Sequence, residues 1–107
     1  MEAMFRVNEE VRKRPVIIYG VGNIGKACLR ELINNNVEIE CFCDSSPKKH
    51  GIIFQGKRVI SPEELLAMEK YNVVIAIQDY SPVLSMLESK SIQHIFVYRN
   101  AFQIDIW

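Results

Sequence analysis

A glycine-rich turn between an apolar run and a helical segment is the feature that most limits how this chain can fold. The run is Val16–Tyr19, the turn is Gly20-Val21-Gly22-Asn23-Ile24-Gly25, and the helical segment covers residues 26–34. In such a context the first glycine permits a tight turn, the second lets a pyrophosphate approach the backbone, and the third lets helix and strand pack closely. The helix N-terminus also attracts phosphate. The pattern predicts a nucleotide-binding unit whose ligand-binding residues include Gly20, Gly22, Asn23, Ile24 and Gly25.

Two other interpretations of the turn exist. Gly20 and Gly25-Lys26 have the spacing of a P-loop, but that motif needs Ser or Thr after the lysine to hold magnesium, and Ala27 has no hydroxyl. A triphosphate-hydrolysing site is therefore disfavoured. A glycine-rich turn can also pack tightly and bind nothing, and this alternative stays open.

An acidic residue follows the second apolar run, Val37–Cys43, at a suggestive distance. Asp44 lies 19 residues after Gly25 (44 − 25), where a carboxylate in a dinucleotide-binding fold accepts hydrogen bonds from a ribose. It would repel a 2′-phosphate, so NAD is expected rather than NADP. The alternative is that Asp44 caps the turn that follows it. The predicted site also includes Ser45, Lys49, which could meet a phosphate or a base edge, and Ile77.

Apolar runs alternate with helical segments along the chain, which indicates an α/β fold with a parallel sheet. We predict one three-layer, Rossmann-like domain over residues 1–107, with a five-stranded parallel sheet in the order 3-2-1-4-5. The predicted helices cover residues 5–14, 26–34, 62–70 and 81–90. The second has Ile24, Ala27, Cys28 and Leu32 on its apolar stripe and ends at Asn34-Asn35-Asn36, because asparagine tolerates left-handed geometry. The third begins with a capping box of Ser61 and Glu64. The predicted strands cover residues 16–19, 37–43, 52–60 (a hairpin or a short strand), 73–77 and 94–98.

The composition of the chain limits the kinds of partner that it can bind. Lys and Arg number 13 and so do Asp and Glu, whereas nucleic-acid-binding domains usually carry a basic excess. No apolar run approaches the roughly 20 residues that span a bilayer, and three cysteines do not suggest a disulfide scaffold. We expect a cytoplasmic protein with a small-molecule ligand. Its tail, residues 101–107, alternates apolar and polar residues with the period of a half-buried strand. We expect it to pack on its own domain or to contact a second copy or a partner domain.

Side chains for catalysis are missing from the sequence. No Tyr-x-x-x-Lys pair and no Gly-x-Ser-x-Gly elbow occurs. Cys41 and Cys43 share one face of a strand but lack a second close pair of metal ligands, so we interpret them as core residues. Asp79, after the fourth strand, could bind a ligand or cap the next helix. The sequence thus predicts binding without catalytic or metal-ligating residues, and an isolated chain that is not an enzyme.

Three segments together resemble a Rossmann module of bacterial surface-polysaccharide biosynthesis. They are residues 16–26, Val-Ile-Ile-Tyr-Gly-Val-Gly-Asn-Ile-Gly-Lys; residues 41–51, Cys-Phe-Cys-Asp-Ser-Ser-Pro-Lys-Lys-His-Gly; and residues 56–65, Gly-Lys-Arg-Val-Ile-Ser-Pro-Glu-Glu-Leu. Similar modules form the N-terminal domains of CapD-type nucleotide-sugar dehydratases and PglD-type sugar acetyltransferases. The resemblance implies a UDP-sugar as an alternative ligand, positioned by Gly20, Gly22, Asn23 and Asp44, or coenzyme A. This chain has Asn23-Ile24 where the acetyltransferases usually carry Gly-His.

Three functions are consistent with these features. The first is a nucleotide-binding module for NAD(H) or a nucleotide-sugar, linked to sugar-nucleotide or surface-polysaccharide metabolism. The second is the binding part of a larger oxidoreductase, dehydratase or transferase. The third is a regulatory or interaction domain whose phosphate cradle is vestigial.

Overall fold

Strands and helices alternate along the chain in a computed structural model, which describes residues 9–100 and 103–106. A 3-10 helix, Glu9–Lys13, precedes the first strand, and a second, Pro47–Lys49, lies in the loop after the second strand. The other elements are β1 Val16–Tyr19, α1 Asn23–Asn34, β2 Ile39–Cys43, β3 Ile53–Phe54, β4 Lys57–Ile60, α2 Pro62–Leu66, β5 Asn72–Ile75, α3 Ser81–Ser89, β6 Ile95–Asn100 and β7 Gln103–Ile106.

The described strands form one sheet in the order β3-β4-β2-β1-β5-β6-β7. Strands β4, β2, β1, β5 and β6 are parallel and, counted among themselves, follow the order 3-2-1-4-5. The prediction of a purely parallel, five-stranded sheet is wrong at both edges, where β3 and β7 pair antiparallel with β4 and β6. At one edge, Gln55 and Gly56 both have positive φ angles, 53° and 81°. A two-residue turn of this kind folds a strand directly back on its neighbour.

Helices cover both faces of the sheet, so the fold has three layers as predicted. One face of the sheet packs against α1 and Val11 of the first 3-10 helix, and the other packs against α2 and α3. Residues of β1 alternate between the two cores: Val16 and Ile18 lie in the first, Ile17 and Tyr19 in the second. All four are buried, which explains why the strand reads as an uninterrupted apolar run.

Strand β2 contains a bulge that the sequence did not predict. Val16 pairs with Ile39, but the next residue of β1, Ile17, pairs with Cys41. Glu40 is the extra residue, and its side chain is exposed. As a result Ile39 and Cys41, two residues apart, face opposite cores, whereas Cys41 and Cys43 are on one face as predicted.

Helix α1 begins three residues earlier than predicted, since Gly22 takes the N-cap position. Its buried residues are Gly25, Cys28, Leu29 and Leu32. The predicted apolar stripe was therefore wrong at Ala27, which is exposed, and it missed Leu29. The asparagines after the helix behave as predicted, with Asn36 in the left-handed region at φ 60°.

The capping box that begins α2 is confirmed, but the helix is much shorter than predicted. The Ser61 side chain accepts from the Glu64 N–H, and the Glu64 carboxylate accepts from the Ser61 N–H. The helix ends at Leu66 rather than near Lys70. Its last turn is closed by the Tyr71 hydroxyl, which donates to the carbonyl oxygen of Leu65 at 2.9 Å, and Lys70 has a φ of 61° that no helix continues.

Other boundaries shift at the chain's ends. Of the predicted N-terminal helix, the 3-10 helix Glu9–Lys13 is described, and residues 5–8 lie outside the described part. It is held by the buried Asn72 side chain, whose Nδ2 donates to the carbonyl oxygens of Glu10 and Val11 at 3.0 and 3.1 Å. Residues 103–106 of the predicted tail strand form β7, which pairs with β6. None of the helices in residues 9–100 is long and apolar enough to cross a membrane.

Candidate functional site

A cleft of about 450 Å³ lies at the carboxyl edge of the sheet, between the ends of β1, β2 and β5. In open α/β sheets this edge is where ligands bind. We call it the main cleft. Its lining residues are Val21, Gly22, Asn23, Ile24, Asp44, Lys49, Ala76, Ile77 and Gln78.

The three glycines of the turn have different surroundings. A Cβ atom added at Gly20 would lie less than 3.0 Å from the carbonyl oxygen of Ala76, and one at Gly25 less than 3.0 Å from the carbonyl oxygen of Gly20. Gly20 also has a φ of 134°. Gly22 is the opposite case, because no atom lies within 4 Å of an added Cβ. Gly20 and Gly25 therefore allow close packing of β1, α1 and β5, while Gly22 faces open space.

The Asp44 carboxylate connects the glycine turn to the loop after β2. Its Oδ2 accepts a hydrogen bond from the Val21 N–H at 3.3 Å, and its Oδ1 accepts one from the Ser46 N–H at 2.8 Å. The second bond closes the turn that the alternative interpretation of Asp44 predicted. Asp44 is only partly buried and also lines the main cleft, so capping the turn leaves it facing the space where a ligand would lie.

Lys49 reaches the glycine turn from the same loop. Its Nζ donates to the carbonyl oxygen of Val21 at 3.3 Å. The neighbouring Lys48 is exposed and does not line the cleft. His50 holds the loop's backbone, with its Nε2 2.7 Å from the carbonyl oxygen of Asp44.

Ser45 is exposed and does not line the main cleft. Its Oγ is 2.5 Å from the hydroxyl of Tyr19 at the end of β1. Burial raises the pKa of Tyr19 above its ordinary value, more than the hydrogen bond from Ser45 lowers it. The predicted site residues that line the main cleft are Gly22, Asn23, Ile24, Asp44, Lys49 and Ile77, whereas Gly20, Gly25 and Ser45 do not line it.

A smaller cavity of about 220 Å³ shares Ile24, Ile77 and Gln78 with the main cleft. We call it the side lobe. Its other lining residues are Tyr80, Tyr98 and Arg99, the last two from β6. Burial raises the pKa of Tyr98 to about 12.

Sequence reasoning missed Val21, Ala76 and Gln78 in the main cleft, and Tyr98 and Arg99 in the side lobe. The rule that ligands bind at the carboxyl ends of parallel strands, applied to β6 as well as to β1, β2 and β5, would have indicated the last two. Asp79, a candidate in the sequence, is exposed and lines neither cavity. It does not cap α3 either, because Tyr80 takes that position.

The cysteines are core residues. Cys28, Cys41 and Cys43 are buried free thiols, and burial raises the pKa of each, that of Cys41 to about 11. A thiol held in its neutral form is a poor nucleophile and metal ligand. No group of His, Cys, Asp or Glu side chains in the described residues could hold a metal ion.

Comparison with known proteins agrees with this architecture. A sequence profile described as C2185-like, N-terminal matches residues 12–94, more than half of the chain. This chain belongs to the C2185-like, N-terminal family. No curated protein sequence matches it significantly.

Several solved structures share the fold of this family member. One is the UDP-D-quinovosamine 4-dehydrogenase from Vibrio fischeri, with a TM-score of 0.70 and 18% identity over 87% of this chain and 92% of that chain. Another is RSP, a Rex-family repressor, with a TM-score of 0.65 and 20% identity over 83% of this chain and 46% of the repressor. The structure of RSP in complex with β-NADH has a TM-score of 0.62 and 19% identity over 89% of this chain and 48% of that chain. The chain thus spans slightly less than half of the repressor, and at these identities the likeness shows a Rossmann-like fold.

Proposed function

We propose that this chain is a nucleotide-binding module that holds NAD(H) in the main cleft. The observation that carries the proposal is Gly22. Its φ of −160° is an extended conformation that any residue adopts, and an added Cβ would meet no atom within 4 Å. Neither backbone geometry nor packing requires glycine there, and its N-cap position is served as well by Ser, Asn or Asp. The absence of a side chain therefore fits a ligand that lies close to the backbone.

The cleft offers suitable groups for such a ligand. The first N–H groups of α1, after Gly22, have no partner within the helix and suit a pyrophosphate. A carboxylate can accept about four hydrogen bonds, and Asp44 accepts two from the protein, so it can also accept those of ribose hydroxyls. The side lobe would take the second half of a dinucleotide.

A nucleotide-sugar is the second candidate. It is favoured by the fold match over nearly the full length of a chain named UDP-D-quinovosamine 4-dehydrogenase, and by the resemblance of the sequence to CapD-type and PglD-type N-terminal domains. On this proposal residues 1–107 form one cytoplasmic domain that serves surface-polysaccharide metabolism. On the same proposal the chain holds its ligand for chemistry performed by a second copy, a partner or a further domain, in keeping with the missing Tyr-x-x-x-Lys and Gly-x-Ser-x-Gly patterns of the sequence.

Direct titration tests the proposal. NADH binding is followed by its fluorescence, and UDP-N-acetylglucosamine and coenzyme A are tested by calorimetry. We expect saturable binding of NADH or of the nucleotide-sugar, weakened about tenfold or more in Gly22→Ala because a methyl group occupies the phosphate's position. Asn34→Ala, an exposed change at the far end of the same helix, is the matched control and should leave the affinity unchanged. Absence of binding at millimolar concentrations of all three ligands would overturn the proposal.

A further inference from the structure

The peptide groups of Val21 are held by two oppositely charged side chains from one loop. Asp44 accepts from the Val21 N–H, and Lys49 donates to the Val21 carbonyl oxygen, both at 3.3 Å. Both side chains also line the main cleft. The loop after β2 therefore brings one anion and one cation to the same point of the glycine turn.

Lys49 keeps capacity for a ligand. An ammonium group has three donors, and the hydrogen bond to Val21 is its one contact of this kind in the described residues. No ion pair occupies Lys49 there, since those found involve other basic residues. Of the residues lining the main cleft, Lys49 is the one cation.

Asp44 is less repulsive toward an anion than its charge alone indicates. Each of its carboxylate oxygens accepts a backbone N–H, and such bonds stabilise the negative charge. A phosphate group beside Asp44 would also lie beside Lys49, which is bonded to the same residue of the turn. The attraction of the cation opposes the repulsion of the carboxylate, since both side chains line the cleft that such a phosphate would enter.

We infer that the main cleft accepts a nucleotide whose adenosine ribose carries a phosphate monoester, and that Lys49 is the residue that selects it. The inference rests on the proposed function, because it keeps a nucleotide in the main cleft, and it changes the preferred ligand from NAD(H) to one with a phosphorylated ribose. It departs from the expectation, drawn from Asp44 in the sequence, that a ribose phosphate is repelled. Two common ligand types share this chemistry, NADPH with a 2′-phosphate and coenzyme A with a 3′-phosphate.

Two matched ligand pairs test the role of Lys49. NADPH is compared with NADH, and coenzyme A with dephospho-coenzyme A, because each pair differs by the one phosphate. We expect the phosphorylated member of at least one pair to bind the wild-type protein at least as tightly as its partner. In Lys49→Met that member should lose about tenfold or more in affinity, while its partner changes less than about threefold.

Neighbouring variants separate a specific contact from general electrostatics. Lys48→Met removes the same charge from the adjacent exposed residue and should leave all four affinities within about twofold. Lys49→Arg keeps the charge and should retain most of the preference, and circular dichroism confirms that each variant is folded. The inference is overturned if both phosphorylated ligands bind the wild type more than tenfold weaker than their partners, or if Lys49→Met weakens both members of a pair equally. Binding of NADH with either result leaves the proposed function intact, whereas binding of no nucleotide overturns both.

Discussion

A methyl group added at Gly25 tests whether the glycine turn is built as described. The added Cβ would overlap the carbonyl oxygen of Gly20, and a normal contact would require α1 to move from β1 by roughly 1 Å. Such a gap forfeits about a quarter to a half of each dispersion contact. The residues that depend on this packing are Cys28, Leu29 and Leu32.

The expected cost follows from those side chains. Full burial of one large apolar side chain is worth about 1.5–3 kcal/mol, so partial loss at this interface lowers the free energy of unfolding by about 2–4 kcal/mol. The better helix propensity of alanine raises the free energy of unfolding by less than about 1 kcal/mol. We expect Gly25→Ala to be destabilised by about 2–3 kcal/mol, which corresponds to a fall in Tm of more than about 10 °C for a domain of this size.

Gly22→Ala is the matched variant three residues away. It creates no overlap, and the poorer N-cap preference of alanine costs less than about 1 kcal/mol. Urea unfolding followed by far-UV circular dichroism compares the two variants with the wild-type protein. Equal stability of the two variants would refute the assignment of Gly25 to packing and of Gly22 to open space.

Four further results are expected. Ser61→Ala removes half of the capping box and should lower the free energy of unfolding by about 1 kcal/mol in the same urea assay; a change near zero would contradict it. Asn72→Ala removes one buried and one partly buried hydrogen bond to backbone carbonyls and should cost about 2 kcal/mol, so a loss below about 0.5 kcal/mol would count against the role given to this side chain. The three buried thiols should react with Ellman's reagent at pH 8 much more slowly in the native protein than in urea, and equal rates would show that they are accessible. Burial raises the pKa of Tyr98 from 10.0 to about 12, so between these pH values the folded state keeps a proton that the unfolded state loses. The free energy of unfolding should therefore fall as the pH rises from about 10 to 12. A free energy of unfolding that does not change over that range would exclude the shift.

Local signals predicted several elements well. The strand at Val16–Tyr19 and the glycine turn are adjacent in sequence, and the Ser61–Glu64 capping box depends on side chains three residues apart. Each is decided by neighbouring residues, so no knowledge of the rest of the fold is needed. The parallel order of the central strands also followed, because connections of this kind allow few topologies.

Contacts between distant segments account for most of the errors. The hairpin of β3 and β4 was one of two interpretations of residues 52–60 and is confirmed. The antiparallel pairing of β7 with β6 is a contact that an alternation of apolar runs and helices does not reveal. The side lobe joins Ile24 to Tyr98 and Arg99, residues far apart in the chain. The sequence offered ribose binding and capping of the turn as alternatives for Asp44. The structure shows that Asp44 closes the turn and also lines the cleft, a combination that the sequence does not reveal.

The bulge in β2 makes one position of the sheet tolerant to a change in chain length. Because Glu40 is the unpaired residue, its deletion would bring Ile39 and Cys41 into regular alternation without moving any later side chain to the opposite core. A deletion within β1 would instead transfer every following residue of that strand to the wrong face. Deletion of one residue is therefore expected to be tolerated at residue 40 but not within residues 16–19.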